Sequence, residues 1–291
     1  MIWSILGIVA LLLIGSVLFF LLYAYWYICN VKKKKLIYEI DESKQNDVIE
    51  NIMYKKVDRK QLLMDVYRPS NLEPNAKLPA VLLVHGEGLE VLIKDAKNWG
   101  LYTSYGKLLA NIGLIGIPFN HRRANMDLSR IHEVTSDISD AIKFVKRNAV
   151  KWSIDENRIC IWTFSVGGAF VVPLLSENNH KIKSFVTYYS LLDIRNWSDS
   201  VNDDKYKDYF PEQYLSISPE KFPPSLVVKC EKDSERINKS IDHFVHIAKL
   251  RDIKFDYIVH STGRHTFDAF DDNSETRQVI NQTLEFITRN T

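Results

Sequence analysis

Hydrophobic side chains dominate the start of the chain and form one uninterrupted segment. From Ile2 to Cys29 no residue is charged, and most positions are Leu, Ile, Val, Phe or Ala. A helix of this length would extend about 42 Å at about 1.5 Å per residue, which exceeds the roughly 30 Å hydrocarbon core of a bilayer. The pattern therefore predicts one N-terminal transmembrane helix, with residues 2–29 in contact with the lipid bilayer.

Aromatic residues stand at both ends of this segment. Trp3 marks one end, and four aromatic residues mark the other: Tyr23, Tyr25, Trp26 and Tyr27. Such belts are typical of membrane-spanning helices at the lipid–water interface. A cleaved secretory signal is the competing interpretation, but no Lys or Arg precedes the segment and its C-terminal end is bulky. We expect residues 1–30 to form an uncleaved anchor.

Positive charge follows the anchor directly and does not precede it. Four lysines come next in the chain: Lys32, Lys33, Lys34 and Lys35. Because positively charged flanks tend to remain in the cytoplasm, the N-terminus is expected outside and the rest of the chain inside. Three glycosylation sequons, at Asn196, Asn238 and Asn281, would matter only in a secretory lumen. The sequence thus predicts a single-pass membrane protein whose later domain faces the cytoplasm.

Residues 31–47 are expected to form a basic and charged juxtamembrane linker, and residues 48–291 to form one domain. The domain begins with two apolar stretches, Asn51–Val57 and Leu62–Tyr67, separated by a polar turn. This arrangement predicts an antiparallel hairpin. About 245 residues are enough to bury a hydrophobic core without disulfides or a metal ion.

After the hairpin, short apolar strands alternate with amphipathic helices. The predicted strands are Ala80–Val84, Leu114–Phe119, Ile159–Thr163, Ser184–Tyr189, Leu226–Cys230 and Phe255–Val259. The predicted helices are Tyr102–Asn111, Glu133–Val150, Val166–Leu175, Ile237–Leu250 and Glu275–Thr288. This alternation predicts an α/β fold with a mostly parallel sheet and helices on both faces. The long segment Leu191–Pro224 has no clear element, and segments of this kind often form lids or pocket walls.

Composition narrows the classes of function. The chain has 38 basic and 36 acidic residues, so its net charge of +2 gives no field that would attract nucleic acid. The sequence shows no zinc-ligand spacing and no phosphate-binding glycine loop, so neither a metal nor a cofactor is expected. The three cysteines, Cys29, Cys160 and Cys230, are unclustered and odd in number, which favours buried thiols in a reducing compartment.

A candidate nucleophile follows the third strand of this alternating region. The apolar run Ile159–Thr163 leads through Phe164 to Ser165, and Gly167 and Gly168 begin a helix. A serine at the apex of a strand–turn–helix is typical of a nucleophile elbow, whose strained turn requires small neighbours. Thr163 stands where the strict G-x-S-x-G motif has glycine. Alone, this fragment is equally consistent with a serine that caps a helix.

A second turn supplies groups that could stabilise negative charge. The apolar run Val81–Val84 ends in the sequence H-G-E-G, which begins at His85. Such a turn can direct backbone N–H groups at an oxygen that becomes negative in the transition state. The backbone of this turn, together with the N–H of Val166 at the helix start, is therefore expected to form an oxyanion hole.

A base and an acid follow later strands. His265 comes after the strand that ends at Val259, and Asp233 comes just beyond the strand that ends at Cys230. A serine hydroxyl needs a histidine to take its proton, and the histidine needs an orienting carboxylate. The three residues occur in the chain order serine, acid, histidine, which is the order known for nucleophile-elbow hydrolases. Glu231 remains open as the acid, and His260 remains open as the base.

Three charged or titratable residues end another strand and invite a second interpretation. His121, Arg122 and Arg123 follow the strand Leu114–Phe119, at the edge where sites of this architecture form. The two arginines could bind an anionic substrate. Structural ion pairs are the preferred interpretation.

With these motifs in place, the chain from about Leu62 to Ile287 resembles the α/β-hydrolase esterases. The branches that are most similar are the feruloyl-esterase-like and dienelactone-hydrolase-like enzymes, which carry an H-G-G-G turn and a G-x-S-x-G-G elbow. The resemblance implies an α/β-hydrolase fold with a triad of Ser165, Asp233 and His265, and an oxyanion hole at Gly86, Glu87 and Val166. Two positions depart from the family pattern: Thr163 and Glu87 both replace glycine.

We therefore expect a membrane-anchored serine hydrolase that cleaves small-molecule carboxylic esters through an acyl-enzyme on Ser165. A peptidase or amidase on the same scaffold is one alternative. The other is a membrane-tethered binding module with weak catalysis, which only Thr163 and Glu87 support. The substrate itself is not specified by these motifs.

Overall fold

The computed structural model describes residues 16, 19, 22–26, 28–176, 180–197 and 199–291. Most of the predicted transmembrane segment, residues 2–29, therefore lies outside the described residues. Residues 22–26 and 28–33 are helical. Within the part of the chain that the structure describes, no helix has the length and apolar character needed to cross a membrane.

One sheet of eight strands organises the domain. Its strands are β1 (Asn46–Val57), β2 (Lys60–Pro69), β3 (Leu78–Val84), β4 (Ile115–Pro118), β5 (Ile154–Phe164), β6 (Ser184–Tyr188), β7 (Ser225–Cys230) and β8 (Phe255–His260). They are arranged in the order β1-β2-β4-β3-β5-β6-β7-β8. β1 and β2 pair antiparallel, as do β2 and β4, and all other neighbours are parallel. The predicted hairpin and the mostly parallel sheet are confirmed.

Helices cover both faces of this sheet. They are α1 (Glu90–Ile93), α2 (Gly100–Asn111), α3 (Ile131–Arg147), α4 (Ala149–Trp152), α5 (Gly167–Ser176), α6 (Pro211–Tyr214), α7 (Glu235–Leu250), α8 (Phe267–Phe270) and α9 (Ser274–Asn290). Buried residues of α3, α5 and α7 belong to one hydrophobic core, and those of α2 and α9 belong to another. The predicted arrangement with helices on both faces is therefore confirmed.

The central strand β3 shows why one sheet sustains two cores. Alternate side chains of a strand point to opposite faces. Ala80, Leu82 and Val84 contribute to the core beneath α3, α5 and α7, whereas Val81 and Leu83 contribute to the core beneath α2 and α9. Because both faces are covered, this strand is apolar throughout, and the run was visible in the sequence for that reason.

Several predicted boundaries differ from the structure; β1, for example, begins at Asn46 and not at Asn51. The helix expected over Glu133–Val150 ends at Arg147, and a separate turn, α4, follows. β5 begins at Ile154, earlier than expected, because Ile154 pairs with Leu78 before the register shifts along the strand. Polar residues occupy this first part of β5, and Glu156 and Asn157 are exposed, so it lacks the apolar run that predicted the rest of the strand.

The chain between the N-terminal helix and β1 packs onto the domain. Leu36 is buried in the core beneath α2 and α9. The backbone N–H of Ile37 donates to the carbonyl oxygen of Asp268 at 2.7 Å, and the Tyr38 hydroxyl donates to Asn281. Residues 36–38 thereby attach to both α8 and α9.

A buried ion pair joins β2 to the turn that precedes α2. The side chains of Lys97 and Asp65 are only 1% and 2% exposed, and Lys97 Nζ lies 2.9 and 2.8 Å from the two carboxylate oxygens. The backbone N–H of Asn51 also donates to Asp65, at 2.7 Å. Each charge compensates the other where water is excluded, so removing one leaves the other without its counter-charge.

We predict that Lys97→Met lowers the free energy of unfolding by about 3–5 kcal/mol, because it leaves the Asp65 carboxylate buried without its counter-ion. At about 2–4 °C per kcal/mol, the thermal midpoint should fall by roughly 10 °C. Lys239→Met is the matched control, since Lys239 pairs with Glu235 where both side chains are exposed; it should cost about 0.5 kcal/mol or less. Equal midpoints for the two variants would contradict the importance of the buried pair.

Candidate active site

Ser165 lies in a sharp turn between β5 and α5. Its φ angle is +56°, in the left-handed region that residues with a side chain rarely adopt. Bonds on both sides hold the turn: Ser165 N donates to the Tyr188 carbonyl at 3.1 Å, and Leu191 N donates to the Ser165 carbonyl at 3.0 Å. This strand, strained turn and helix have the geometry of a nucleophile elbow.

Two glycines make room for this turn. A Cβ atom on Gly86 would lie 2.9 Å from Ser165 Cβ and 3.2 Å from its Oγ. A Cβ atom on Gly167 would lie 2.6 Å from the carbonyl oxygen of Val84. The end of β3, the loop after it and the start of α5 therefore approach one another too closely for any side chain at these two positions.

Thr163 occupies the position where the family motif has glycine. Its side chain is buried, and its hydroxyl donates to Thr187 Oγ1 at 3.0 Å and lies 3.3 Å from the Val186 carbonyl. The hydroxyl therefore bonds to the neighbouring strand β6. The departure from glycine is accommodated beneath the turn without disturbing Ser165.

The structure brings the three predicted triad residues into one chain of hydrogen bonds. Ser165 Oγ lies 2.9 Å from His265 Nε2, and His265 Nδ1 lies 2.7 Å from Asp233 Oδ2. With its proton on Nδ1 donated to Asp233, the imidazole presents Nε2 as an acceptor for the serine hydroxyl. The carboxylate is 2% exposed, whereas the imidazole is 41% exposed. The His265 imidazole can thus be reached from outside, whereas the Asp233 carboxylate is shielded.

Asp233 is held in place by the turn that follows β7. Its backbone N–H donates to the Cys230 carbonyl at 3.1 Å, and its Oδ1 accepts from the Ser234 N–H at 2.6 Å. One carboxylate oxygen is thereby fixed by the backbone, and the other is free to accept from the histidine.

The predicted oxyanion-hole residues flank Ser165 from two sides. Gly86 and Glu87 lie in the loop after β3, and Val166 begins the turn into α5. Among the described residues, no acceptor is found for the backbone N–H of Gly86, Glu87 or Val166. Unpaired backbone donors beside a nucleophile are the groups that stabilise an oxyanion.

The Glu87 side chain is bonded away from Ser165. Its carboxylate is fully buried, lies 3.0 Å from Arg123 Nε, and accepts from the backbone N–H of Ala124 at 2.6 Å. Gly88 N also donates to it, at 3.0 Å. The negative charge is therefore neutralised by an arginine instead of opposing an oxyanion.

The buried carboxylate of Asp268 is linked to His265 through the side chain of Tyr189. Asp268 accepts hydrogen bonds from the hydroxyls of Tyr105 and Tyr189, both at 2.8 Å. The ring of Tyr189 in turn packs against His265, with 4.8 Å between centroids. Burial raises the pKa of Asp268 to about 6, and it raises the pKa of both tyrosines well above the usual value. Both hydroxyls therefore remain protonated donors.

The structure shows where the alternative base His260 and the two arginines Arg122 and Arg123 make their contacts. His260 is buried, with Nε2 2.9 Å from Thr276 Oγ1 and Nδ1 3.1 Å from Glu275, so it bonds away from Ser165. Arg122 binds Asp137 and Glu133 at 2.8 and 2.6 Å. The expectation of structural ion pairs is thereby confirmed for Arg122, and the Arg123–Glu87 pair confirms it for Arg123.

A cavity of about 210 Å³ opens beside Ser165. Its walls come from four parts of the chain: Val31 and Lys34; His85, Gly86, Glu87, Ile93, Trp99, Leu101 and Tyr102; Phe164, Ser165 and Tyr189; and His265, Thr266, Ala269 and Phe270. Most of these side chains are apolar or aromatic, so the cavity suits an uncharged group next to the reactive hydroxyl.

The expectation that Leu191–Pro224 shapes this pocket is wrong. None of the described residues of that segment lines the cavity. The segment packs against α7 instead, where Leu192 N and Asp193 N both donate to Ser240 Oγ, at 2.6 and 2.7 Å. Within the segment, the Tyr214 hydroxyl donates to the Leu192 carbonyl. The walls that sequence reasoning missed are α1, α8 and the N-terminal segment, which are short or lie far from the motifs.

No group of three or more His, Cys, Asp or Glu side chains with metal-binding geometry occurs in the portion of the chain that the structure describes. The three cysteines are unpaired, and Cys160 and Cys230 are buried. Burial raises the pKa of the Cys160 thiol to about 12, as expected for a small buried hydrophobe.

A serine held in this way at the carboxyl edge of a mostly parallel sheet defines the class, and the chain is an α/β-hydrolase. The BD-FAE family model matches residues 64–290, well over half of the chain, so the chain belongs to the BD-FAE family. The resemblance to serine esterases of this fold is thereby confirmed.

Curated relatives match parts of the chain. Gut esterase 1 of Caenorhabditis elegans is 32% identical over 122 residues, which cover 39% of this chain and 20% of that protein. Gut esterase 1 of Caenorhabditis briggsae is 28% identical over 151 residues, which cover 48% of this chain and 26% of that protein. The matched region thus spans about a fifth to a quarter of the length of these relatives.

Solved structures share the fold at low sequence identity. An esterase from Thermogutta terrifontis superimposes with a TM-score of 0.67 at 16% identity, over 85% of this chain and 92% of that one. Esterase B from Lactobacillus rhamnosis gives 0.68 at 11% identity, over 95% and 96%. A putative dipeptidyl aminopeptidase IV from Bacteroides ovatus gives 0.67 at 14%, over 85% and 36%. The fold alone therefore does not separate ester from amide cleavage.

We predict that Gly86→Ala lowers kcat for ester hydrolysis about 100-fold without unfolding the chain. The added methyl group would lie 2.9 Å from Ser165 Cβ, so the nucleophile must shift, and misplacement of about 1 Å costs this much. Steady-state kinetics and circular dichroism check the result. Gly88→Ala is the matched control, because its methyl group would lie 3.1 Å from one side-chain carbon, Ile93 Cγ2, and not against the nucleophile. A small, equal effect of both changes would contradict the close approach.

We predict that Asp268→Asn makes the chain more stable relative to the parent as the pH rises from 5 to 7.5. Because burial raises the pKa of Asp268 to about 6, the folded chain binds this proton more tightly than the unfolded chain. That contribution is complete below about pH 4 and is lost as the pH rises through 6, so the parent should lose about 1–2 kcal/mol in this interval. Chemical denaturation of both proteins across this range measures the difference. A constant difference would contradict the raised pKa.

Proposed function

We propose that the chain is a membrane-anchored serine hydrolase that cleaves carboxylic esters through an acyl-enzyme on Ser165. The observation that carries the proposal is the hydrogen-bond chain from Ser165 through His265 to Asp233 at the wall of an apolar cavity. Membership of the BD-FAE family and the esterase names of its relatives support ester substrates over other acyl compounds.

In the first half of the reaction, Ser165 Oγ attacks the ester carbonyl while His265 Nε2 takes the hydroxyl proton. The resulting oxyanion accepts hydrogen bonds from the backbone N–H groups of Glu87 and Val166. His265 then gives its proton to the departing alcohol, and the acyl group remains on Ser165. Asp233 holds the imidazole in position and stabilises its positive charge at each stage.

In the second half, water replaces the alcohol. His265 removes a proton from the water molecule, whose oxygen attacks the acyl-enzyme carbonyl. Collapse of this second oxyanion releases the carboxylic acid and returns the proton to Ser165. The ion pair between Arg123 and Glu87 keeps a carboxylate charge from opposing either oxyanion.

The alternative of a non-catalytic binding module loses its two supports. It rested on Thr163 and Glu87, and both side chains are hydrogen-bonded away from Ser165. A serine that is strained at a φ angle of +56° and bonded to a histidine fits the catalytic function better.

The membrane part of the proposal rests on the sequence. Residues 2–29 carry no charge, aromatic residues stand at both ends of the segment, and four lysines follow it. This pattern supports a single span with the catalytic domain in the cytoplasm. Flotation of the full chain with lipid vesicles after an alkaline wash tests the span.

We predict that a fluorophosphonate probe labels the full chain in detergent and that Ser165→Ala abolishes both labelling and hydrolysis of p-nitrophenyl esters. An organophosphate modifies a protein of similar fold, since Thermogutta terrifontis esterase 2 is described as phosphorylated by paraoxon. A folded chain that never labels would contradict the enzyme proposal. Labelling that survives Ser165→Ala would contradict only the assignment of the nucleophile.

A matched pair of carboxylate variants tests the rest of the triad in the same assay. Asp233→Asn should lower kcat by about 10³–10⁴-fold, because the imidazole loses its orienting acid. Glu231→Gln lies two residues away in the same turn and should leave kcat close to that of the parent. The reverse ranking would identify Glu231 as the acid.

A further inference from the structure

The cavity beside Ser165 is completed by residues that precede the catalytic domain. Val31 and Lys34 belong to its wall, together with Phe270 of α8 and the triad residues Ser165 and His265. The Lys34 ammonium group lies 5.6 Å from the centroid of the Phe270 ring, where a cation and an aromatic face attract each other. The segment that follows the predicted membrane span is therefore part of the substrate site.

This segment has a fixed position against the domain. A Cβ atom on Gly100 would lie 2.7 Å from the carbonyl oxygens of both Lys33 and Lys34, so the backbone of the segment packs directly on the first turn of α2. Three residues later the Ile37 N–H donates to the Asp268 carbonyl at 2.7 Å. These two contacts, one at Lys33 and Lys34 and one at Ile37, hold the segment against the domain.

The same segment leads without a spacer into the apolar N-terminal residues. Val31 follows Cys29, the last residue of the predicted span, by two positions, a rise of about 3 Å along a helix. The described side chains just before it are apolar or aromatic and exposed: Leu22, Tyr23, Tyr25 and Trp26. A span at this place would hold the cavity within the headgroup layer of the bilayer.

Exposed apolar side chains also flank the cavity from the other elements. Phe270 lines the cavity and is 40% exposed. Leu89 and Val91, which precede the cavity residue Ile93 by four and two positions, are 60% and 52% exposed. Apolar side chains of this kind, beside a basic segment, suit contact with the acyl region of a lipid surface.

We propose that the site acts on apolar acyl esters dissolved in the bilayer that anchors the chain, and that it receives them laterally past Val31 and Phe270. This inference rests on the proposed esterase function of Ser165. The ester would move from the leaflet into the cavity, where its acyl group is transferred to Ser165 Oγ and its alcohol leaves with the proton from His265. Water then releases the fatty acid to the same membrane.

The test compares two ways of presenting one substrate to the full chain reconstituted in phosphatidylcholine vesicles. In one sample 4-methylumbelliferyl oleate is in the same vesicles, and in the other an equal amount is in separate vesicles. Confinement to a shared bilayer raises the local concentration of ester, so the initial rate should be at least about tenfold higher in the first sample. Water-soluble 4-methylumbelliferyl acetate should be hydrolysed equally in both.

Matched variants test whether the exposed apolar side chains near the cavity, Leu89 and Val91, are needed for hydrolysis of the lipid ester in particular. The double change Leu89→Ser and Val91→Ser should lower hydrolysis of the oleate in the same vesicles about fivefold and leave hydrolysis of the acetate unchanged. The control is the double change Val150→Ser and Leu250→Ser. These two side chains are 91% and 68% exposed, and neither lines the cavity. The control should retain both activities.

The outcomes distinguish this inference from the function on which it rests. Equal oleate rates in the two presentations, with normal acetate hydrolysis, would overturn lateral delivery and leave the esterase function intact. Equal loss in the rim and control variants would also overturn it. Absence of any hydrolysis that depends on Ser165 would overturn the esterase function and this inference together.

Discussion

The close packing around Ser165 constrains most of the domain. The end of β3, the loop after it and the start of α5 meet at the left-handed turn of Ser165. Because they approach so closely, there is no space for a side chain at Gly86 or Gly167. Parallel strands bring their carboxyl ends to the same edge of the sheet, which is why β7 and β8 can deliver Asp233 and His265 to that point. Strain in the turn is offset by bonds to β6 and by two hydrophobic cores that hold the sheet from both faces.

The same constraint explains how much was predictable from the sequence. Strands covered on both faces are continuous apolar runs, so β3 and β7 were identifiable without any homologue. The turn at Ser165 accepts few residue types, so its glycines were informative even though Thr163 breaks the motif. Thr163 and Glu87 could be noticed as departures, but their effect depended on partners distant in sequence. The hydroxyl of Thr163 bonds to Thr187, and the carboxylate of Glu87 binds Arg123.

The walls of the cavity could not be predicted in this way. α1 and α8 are single turns, too short for a hydrophobic period to appear. The long segment Leu191–Pro224 looked like a lid because its sequence shows no clear element, yet the backbone N–H groups of Leu192 and Asp193 bond to Ser240 of α7. Val31 and Lys34 both fell in the predicted linker, residues 31–47, and only the packing of Lys33 and Lys34 on Gly100 shows that this segment reaches the site. In this chain, local sequence pattern identifies the reactive residues better than it identifies the walls of the cavity.

The place of Val31 and Lys34 has a practical consequence for handling this protein. Hydrophobic anchors are commonly deleted to obtain a soluble fragment, and the domain boundary suggested by composition would begin such a fragment at or after Leu36. That fragment would keep the serine, histidine and aspartate but lose one side of the cavity, together with the contact on Gly100. Its selectivity among acyl chains would then describe an opened pocket, and inhibitors chosen against it would be fitted to a shape that the intact chain does not have.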